Sequence, residues 1–431
     1  MLRLRDRPRT PRTPWWRLPA PVRTLLLSQF AFNVGFYLVV PFLAVHLADD
    51  LAMAGWLVGV VLGVRTFSQQ GLFFVGGALT DRFGVRPVLL TGCAVRVAGF
   101  CVLGVAGSLP WVLVGTVLTG FAAALFSPAV ETGLAHEGRR LEDAGTTTRA
   151  ELFALDAVVE KVGSSVGPVL GALLLAVSFT TTCLVAAGVF VVVLVANARW
   201  GPRAQPGGPA PAGVLHGWGA VLRNRRFLVF TALCSTSLLA YNQMYLALPV
   251  ELERATGSTA ALGAMFVVAA AVTVTAQVPL ARWARRRGPA TALPLGFSVT
   301  AVAFALVAAA TALPAGALPA LAPAVAFVVV LHLGSAVAGP LVRDLVPPLA
   351  RERHVGAHYG VLASAGGLAV LLGSTAVGAL LEPGAALPWL LLAVLPLLSA
   401  AGLAVLTRRP AAPAHPGRAG GRRARGPAPT R

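Results

Sequence analysis

The 431-residue sequence has few charged residues and few cysteines, and Lys161 is its single lysine. Charged residues make up 12% of the chain, against roughly a quarter in soluble globular proteins. This shortage excludes an ordinary soluble enzyme, a disordered scaffold and a secreted disulfide module. Four cysteines, Cys93, Cys101, Cys183 and Cys234, each lie in an apolar run without C-x-x-C spacing. We interpret them as packing residues rather than as metal ligands or disulfide partners.

Hydrophobic residues are abundant, at 56% of the chain, and the mean hydropathy is +0.76. A helix of about 20 apolar residues crosses the hydrocarbon core of a bilayer. Hydropathy and helix-breaking residues predict twelve such helices, and therefore an all-α polytopic membrane protein. The predicted spans are 22–47, 55–79, 86–108, 110–134, 150–176, 178–198, 227–250, 258–281, 289–312, 317–342, 355–381 and 386–407.

The basic residues predict the orientation of these spans. All but four of the 35 bases fall in the tails and on one side of the twelve-span layout, and the exceptions are Arg65, Arg96, Lys161 and Arg254. Cytoplasmic loops carry an excess of arginine and lysine, so both termini are predicted to be cytoplasmic and the protein to lie in the plasma membrane. Orientation explains the net charge of +19, and we expect no nucleic-acid partner. The apolar run starting near Val22 lacks a cleavage site and is interpreted as the first span.

The chain is predicted to consist of two similar halves. The predicted domains are a basic tail (1–21), a six-helix bundle (22–199), a central loop (200–226), a second six-helix bundle (227–407) and a second basic tail (408–431). The segment 77–87 after the second span is repeated in weaker form 200 residues later, at 277–286. Two pseudo-symmetric bundles with a site between them near the midplane are a transporter architecture.

The segment after the second span carries a recognisable signature, formed by Gly77, Asp81, Arg82, Gly84 and Arg86. It resembles the signature between spans two and three of the major facilitator superfamily, and the twelve spans fit the fold of that family. The resemblance implies that these residues latch the two halves on the cytoplasmic side, with the glycine at 77 permitting a close approach. The alternative is a topological signal with a tight turn, which explains the bases but not the aspartate.

A second segment, in span five, contains Gly163, Gly167, Pro168 and Gly171. It resembles the G-x3-G-P-x2-G-G motif of drug/proton antiporters in the same superfamily, with Ala172 in place of the last glycine. The resemblance implies proton-coupled export of small molecules and leaves the cargo open. Many of these antiporters carry an arginine in span four. Here that span has none, and only an arginine from another span could substitute for it, either Arg65 or Arg96.

Ionisable residues inside predicted spans point to a coupling site. Each costs about 2.5–3.5 kcal/mol on insertion scales and therefore needs a partner or a purpose. Asp156 and Glu160 are four residues apart on one helix face. Two close carboxylates in a low dielectric do not both ionise readily, so one is expected to be protonated. We predict that this pair carries the proton, with Lys161 or Arg65 as counter-charge. The alternative is an ion-pair cluster that fixes the helix register.

The glycines of span five continue the face of the two carboxylates at helical spacing. Glycine permits close helix approach, and Pro168 removes a backbone hydrogen bond. The hypothesis is that this face meets the opposite half and that a kink at the proline seals the outer side. Close packing without gating is the alternative.

Polar and aromatic residues in spans one and seven predict where cargo binds. Polar groups in a largely apolar cavity orient a ligand, whereas hydrogen bonding between helices is the alternative role. The candidates are Asn33, Tyr37, Tyr241, Asn242, Gln243 and Tyr245. His332 in span ten is interpreted as a packing residue.

The sequence lacks a Walker A segment and an H-E-x-x-H motif and has no convincing G-x-S-x-G elbow, so we expect neither an enzyme nor ATP-driven transport. The function predicted is secondary active transport, with a small-molecule substrate and protons as partners in the lipid bilayer. No cofactor is expected beyond the proton gradient, and the protein is expected to be a monomer. Two alternatives stay open. One is an uptake permease in which a charged metabolite pairs with Arg65, and the other is a non-transporting receptor or scaffold on the same fold.

Overall fold

The structure is a computed structural model. The residues that it describes are 15–175, 177–202, 218–313, 319–350, 354–382 and 384–408. Within them the chain is helical, with no strand, and twelve segments are long and apolar enough to cross a membrane. These findings confirm the predicted all-α fold with twelve spans. The predicted tails at 1–14 and 409–431 and the central loop at 203–217 lie outside the described residues.

Fourteen α-helices form the described part of the chain. They are α1 (Ala20–Val45), α2 (Gly55–Gln70), α3 (Phe73–Phe83), α4 (Val85–Gly104), α5 (Leu109–Asp143), α6 (Arg149–Leu175), α7 (Phe179–Trp200), α8 (Trp218–Arg223), α9 (Arg225–Thr256), α10 (Leu262–Arg287), α11 (Pro289–Thr311), α12 (Ala322–Leu349), α13 (Val355–Leu380) and α14 (Leu387–Arg408). A π-turn over His46–Asp50 extends α1, and α2 and α3 together make the second span. α8 has six residues and is too short to cross.

Local structure sets two helix boundaries that hydropathy defines poorly. The sequence separates spans five and six only weakly, but the Ser178 hydroxyl accepts a hydrogen bond from the Thr181 N–H at 3.0 Å and caps α7, so the division is real. The fourth span was predicted to end at 134, whereas α5 continues to Asp143. Helix formers in this last stretch extend the helix past its apolar part.

The two halves share one packing pattern. In the first half α1 packs on α6 and α7, and α4 packs on α5 and α7. In the second half α9 packs on α13 and α14, and α11 packs on α12 and α14. Each contact therefore has its counterpart in the other half, which confirms two pseudo-symmetric six-helix bundles.

The register of the repeat is fixed by two glycines with the same unusual backbone. Gly84 (φ 84°, ψ 166°) ends α3 and precedes α4, and Gly288 (φ 81°, ψ 162°) ends α10 and precedes α11. This region of backbone space is essentially restricted to glycine. The predicted offset of 200 residues was wrong by one helical turn, because Gly84 aligns with Gly288 and not with Ala284. Asp81 then corresponds to Arg285.

The halves meet tightly along one side. Gly55 of α2 lies against the backbone of Gly378 in α13, and further along this interface Phe74 of α3 packs on Gly360. Glycine at these positions removes the side chain that would keep the helices apart. The contact between α2–α3 and α13 therefore runs along most of the second span.

The other side is closed at one end only. A Cβ at Gly263 in α10 would lie 3.0 Å from the Pro168 carbonyl oxygen in α6. The opposite end of the molecule carries Arg82, Arg282 and Arg285, and we call it the basic end. Toward this end α6 and α10 both line a cavity.

Candidate functional site

A cavity of about 960 Å³ lies between the halves. Its wall extends from Tyr37, Tyr241 and Phe266 to Arg282 and Arg343 at the basic end. On one side the wall comes mainly from α6, and on the other from α9, α10, α11, α12 and α13. The cavity therefore opens toward the basic end and is closed toward the opposite end.

Hydroxyl groups at the pseudo-symmetry axis close the cavity. The hydroxyl oxygens of Tyr37 and Tyr241 are 3.0 Å apart, and the Tyr245 hydroxyl donates to that of Tyr241 at 3.4 Å. Behind them the Thr66 hydroxyl donates to the Asn242 side-chain oxygen at 3.0 Å. These bonds tie α1 and α2 to α9, and so join the two halves.

The wall formed by α6 carries charge. Glu160 and Lys161 line the cavity, and the Lys161 Nζ donates to Glu160 Oε1 at 3.1 Å. Asp156 is not part of the cavity wall, although its Oδ1 is buried and has no hydrogen-bond partner among the described residues. Because Asp156 and Glu160 lie one turn apart on the same helix, two ionised carboxylates there would repel each other. The structure thus places one carboxylate of the predicted pair, Glu160, in the cavity wall beside Lys161, and buries the other, Asp156, one turn earlier in α6.

Arg65, the other predicted counter-charge, lies apart from this cluster. Its side chain is 3% exposed and donates to Gln69 Oε1 at 2.8 Å, and its guanidinium sits 4.5 Å from the centre of the Phe36 ring. None of the ion pairs seen among the described residues includes it. Of the two proposed counter-charges, Lys161 contacts one carboxylate of the pair, Glu160, and Arg65 contacts neither among the described residues.

Arg96 of α4 is completely buried in the first half. It donates to the Thr119 carbonyl oxygen, and its guanidinium lies 5.0–5.7 Å from the centres of the Phe36, Phe100, Phe126 and Phe190 rings. Its Nε and one terminal nitrogen have no partner in the described part of the chain. From the sequence we considered Arg96 only as a substitute for the arginine missing from span four. Its aromatic surroundings were not predicted.

The glycine face of α6 meets a different partner from the one predicted. A Cβ at Gly167 would lie 2.7 Å from the Tyr37 Cβ, and one at Gly163 would lie 2.8 Å from the Phe30 carbonyl oxygen. Gly171 likewise approaches Leu38. All three glycines therefore pack on α1 in the same half, and the hypothesis that they meet the opposite half was wrong. The helix faces that meet depend on the tilt of α6, which periodicity does not reveal. The motif positions that approach α10 of the other half are Pro168 and Ala172, both next to Gly263.

The signature residues lie together at the basic end. Asp81 and Arg82 are exposed in the last turn of α3, and Arg86 donates to the Ala198 carbonyl oxygen at the end of α7. Asp81 has no ion-pair partner among the described residues.

In this structure Gly77 makes no close approach, but its neighbour Gly76 packs closely on a helix of the same half. A Cβ at Gly77 would meet nothing within 4 Å, whereas one at Gly76 would overlap the Ala124 carbonyl oxygen of α5. The glycine that permits close packing in this state is therefore Gly76. Both glycines lie on one short helix, and the sequence alone does not show which of them faces α5.

Only part of the predicted cargo site lines the cavity. Tyr37 and Tyr241 do. The other four candidates do not. Asn33 and Gln243 each donate to a carbonyl oxygen one turn earlier in their own helix, at Gln29 and Leu239. Asn242 accepts from Thr66 of α2, and Tyr245 stacks on Phe266 of α10 with ring centres 5.6 Å apart.

The sequence missed other polar residues of the wall. Thr273 and Gln277 of α10 and His332 and Ser335 of α12 line the cavity. Their spacings of four and three residues in otherwise apolar spans would have revealed them as polar stripes on single helix faces.

Comparison with known proteins assigns the family. The sequence profile of the Major Facilitator Superfamily matches residues 25–327. An uncharacterised MFS-type transporter of Mycobacterium tuberculosis (strain ATCC 25618 / H37Rv) is 39% identical over 371 residues, covering 84% of this chain and 86% of the relative. The multidrug resistance protein MdtH of Yersinia pestis (strain Pestoides F) is 30% identical over 385 residues, covering 88% and 92%.

Solved structures share the fold. A crystal structure of a peptide transporter, POT, in complex with sulfate has a TM-score of 0.77 at 15% identity, covering 93% of this chain and 96% of that one. A mutant of the nucleoside transporter NupG has a TM-score of 0.74 at 14% identity, covering 89% and 99%. At such identities the likeness concerns the fold alone. The profile match over most of the chain and the curated relatives, together with the two bundles around a central cavity, show that this multi-pass membrane transporter belongs to the Major Facilitator Superfamily.

Proposed function

We propose that the protein is a proton-coupled exporter of small amphipathic, drug-like molecules that works by alternating access. It lies in the plasma membrane as a monomer with both termini in the cytoplasm. It uses the proton gradient and no cofactor. The relative MdtH is a multidrug resistance protein, which supports the substrate class.

The observation that carries this proposal is a carboxylate in the wall of a cavity that opens at one end. Glu160 lines the cavity beside Lys161, while tyrosines close the opposite end. By the positive-inside rule the open, basic end faces the cytoplasm. Cargo then has access from the cytoplasm, and a group able to take up a proton lies within the same cavity.

In the proposed transport cycle, Lys161 and a proton compete for the carboxylates of Asp156 and Glu160. With Glu160 ionised, Lys161 neutralises it at 3.1 Å and the cavity accepts cargo from the cytoplasm. When Asp156 and Glu160 are both ionised, they and Lys161 together carry one excess negative charge. In the outward-facing state a proton binds Asp156 or Glu160, and Lys161 balances the carboxylate that stays ionised. The return to the inward-facing state then no longer moves an unpaired charge through the membrane. Asp81 is exposed in the inward-facing structure and has no ion-pair partner among the described residues. It forms its latch when the basic end closes.

The uptake alternative required a charged cargo to bind Arg65. That side chain lies outside the cavity wall and is held by Gln69, so export is the function that the geometry supports better. A receptor or scaffold on the same fold has no need of charged residues in a cavity that is closed at one end.

The test is transport by purified protein in liposomes under an imposed pH gradient, with ethidium and tetraphenylphosphonium as cargo. We expect gradient-driven transport, its loss in Glu160→Gln, and retained cargo exchange without a gradient in that variant. Asp156→Asn tests the second carboxylate in the same way. Glu253→Gln, at an exposed carboxylate at the opposite end of α9, serves as the control and should transport normally. Transport that is independent of the gradient in the unsubstituted protein would overturn the proposal.

A further inference from the structure

We propose that His332 binds cargo directly by accepting a hydrogen bond from an N–H group, so that the preferred cargo is an aromatic amine with at least one N–H. The inference rests on the proposed function and deepens it, because it names a feature of the substrate class. From the sequence alone we interpreted this histidine as a packing residue.

The protonation of the ring follows from its hydrogen bond. His332 Nδ1 lies 2.8 Å from the carbonyl oxygen of Val328, one turn earlier in α12. A carbonyl oxygen only accepts, so Nδ1 carries the hydrogen and donates. In the neutral imidazole the other nitrogen, Nε2, then presents a lone pair and is an acceptor.

The position of the ring directs that acceptor to the cargo. His332 is 9% exposed and belongs to the cavity wall, so its exposed part faces the cavity. Its Nδ1 bond to Val328 is its only hydrogen bond with the described residues, which leaves Nε2 without a protein partner. A polar atom that lacks a partner and faces a largely apolar cavity suits a ligand donor.

The neighbours of the ring define the rest of the cargo. The Tyr241 ring stands edge-on to His332 at 6.0 Å between centres, and Tyr37 packs edge-on against Phe266 at 5.9 Å. All four side chains line the closed end of the cavity. Aromatic side chains favour flat aromatic ligands through stacked or edge-on contacts. An aromatic system with an N–H at its margin satisfies both the rings and the free acceptor.

The test separates the two nitrogens of the ring. His332→Asn places an amide N–H near the position of Nδ1, keeps the donor to Val328, and removes the acceptor in the cavity. His332→Gln places its amide near the position of Nε2 and restores an acceptor there. Binding is measured on the purified full-length protein with rhodamine 6G, whose secondary amines carry N–H groups, and with rhodamine B ethyl ester, whose amines are fully alkylated.

We expect His332→Asn to weaken rhodamine 6G binding about tenfold, since a ligand hydrogen bond of about 1.4 kcal/mol is lost. Binding of rhodamine B ethyl ester should stay unchanged, and His332→Gln should bind rhodamine 6G almost as well as the native protein. Equal losses for both dyes in His332→Asn, or no loss for either, would overturn the inference. So would a His332→Gln variant that binds rhodamine 6G as weakly as His332→Asn.

The proposed function fails in a distinguishable way. Native protein that binds rhodamine 6G in this pattern but does not move it across liposomes under a pH gradient would overturn the transport proposal and leave the histidine assignment standing. Native protein that binds neither dye would overturn both.

Discussion

Tyr37 and Tyr241 occupy equivalent positions of the two repeats, 204 residues apart, and their hydroxyl groups hydrogen-bond to each other at 3.0 Å. The same offset relates the capping glycines Gly84 and Gly288. The symmetry axis of the molecule therefore passes close to this tyrosine pair. Because the bond joins the two halves at the closed end of the cavity, it stabilises the state open to the basic end.

Removing one of these hydroxyls should shift the protein toward the other state. A hydrogen bond contributes about 1 kcal/mol, so Tyr37→Phe or Tyr241→Phe should raise the population open at the opposite end roughly fivefold. The measurement is the rate at which a cysteine at Ala172→Cys reacts with a membrane-impermeant thiol reagent, in a chain without its four native cysteines. Thr407→Val, which removes a hydroxyl bonded within its own helix, is the control. Unchanged labelling in both tyrosine variants would contradict the role of the pair.

A bulky residue on the glycine face of α6 should separate α6 from α1. At Gly167 even a Cβ would lie 2.9 Å from the Val34 carbonyl oxygen, so Gly167→Leu should destabilise the first half by about 1–3 kcal/mol. We expect a lower unfolding temperature in detergent and loss of transport, with protein still present in the membrane. Gly188→Leu on α7 is the matched control, because a Cβ there meets nothing within 4 Å. Similar behaviour of the two variants would contradict the packing shown here.

The two capping glycines should be equally intolerant of a side chain. Gly84→Ala and Gly288→Ala force a non-glycine residue into a backbone region that costs about 1–3 kcal/mol, and each should lower thermal stability. Gly77→Ala is the control, since its Cβ would have open space and alanine favours the helix. A tolerant Gly288 beside an intolerant Gly84 would contradict the alignment of the two repeats.

Substitutions of Arg96 can separate the effect of its charge on stability from the effect of its planar shape. A buried ion without a counter-charge costs several kcal/mol, and each aromatic ring returns about 0.5–2 kcal/mol through contact with the planar guanidinium. Arg96→Lys keeps the charge but loses the planar group, whereas Arg96→Met removes the charge and fills the space. Thermal unfolding in detergent should therefore show the methionine variant to be more stable than the lysine variant. The reverse order would mean that the charge itself is required for folding.

Hydropathy was sufficient to predict the twelve spans, because each span must satisfy its own backbone and expose apolar side chains to lipid. It did not predict which faces meet. The glycines at 163, 167 and 171 share a face, but only the tilt and rotation of α6 decide that this face packs on α1. Helix rotation likewise decides that the side chains of Asn33 and Gln243 bond to their own helices and do not line the cavity.

The site residues were predictable where an unusual residue type marks them. Glu160 and Lys161 stand out as charges in an apolar span, and the structure places both in the cavity wall. Arg65 stands out equally, yet it is buried against Phe36 and Gln69. A charge in a span therefore indicates importance without indicating whether it faces the cavity. The offset of the repeats was likewise set by backbone geometry at two glycines rather than by the bases around them.

The interface of α2 and α3 with α13 limits how the protein can move. Its helices touch backbone to backbone at Gly55 and Gly378, and neither side can slide without steric overlap. Rotation of one half relative to the other is therefore least hindered about an axis close to this interface. The far edges, α6 and α10, then travel the greatest distance, so a probe pair placed on them would report the largest change in separation during a turnover.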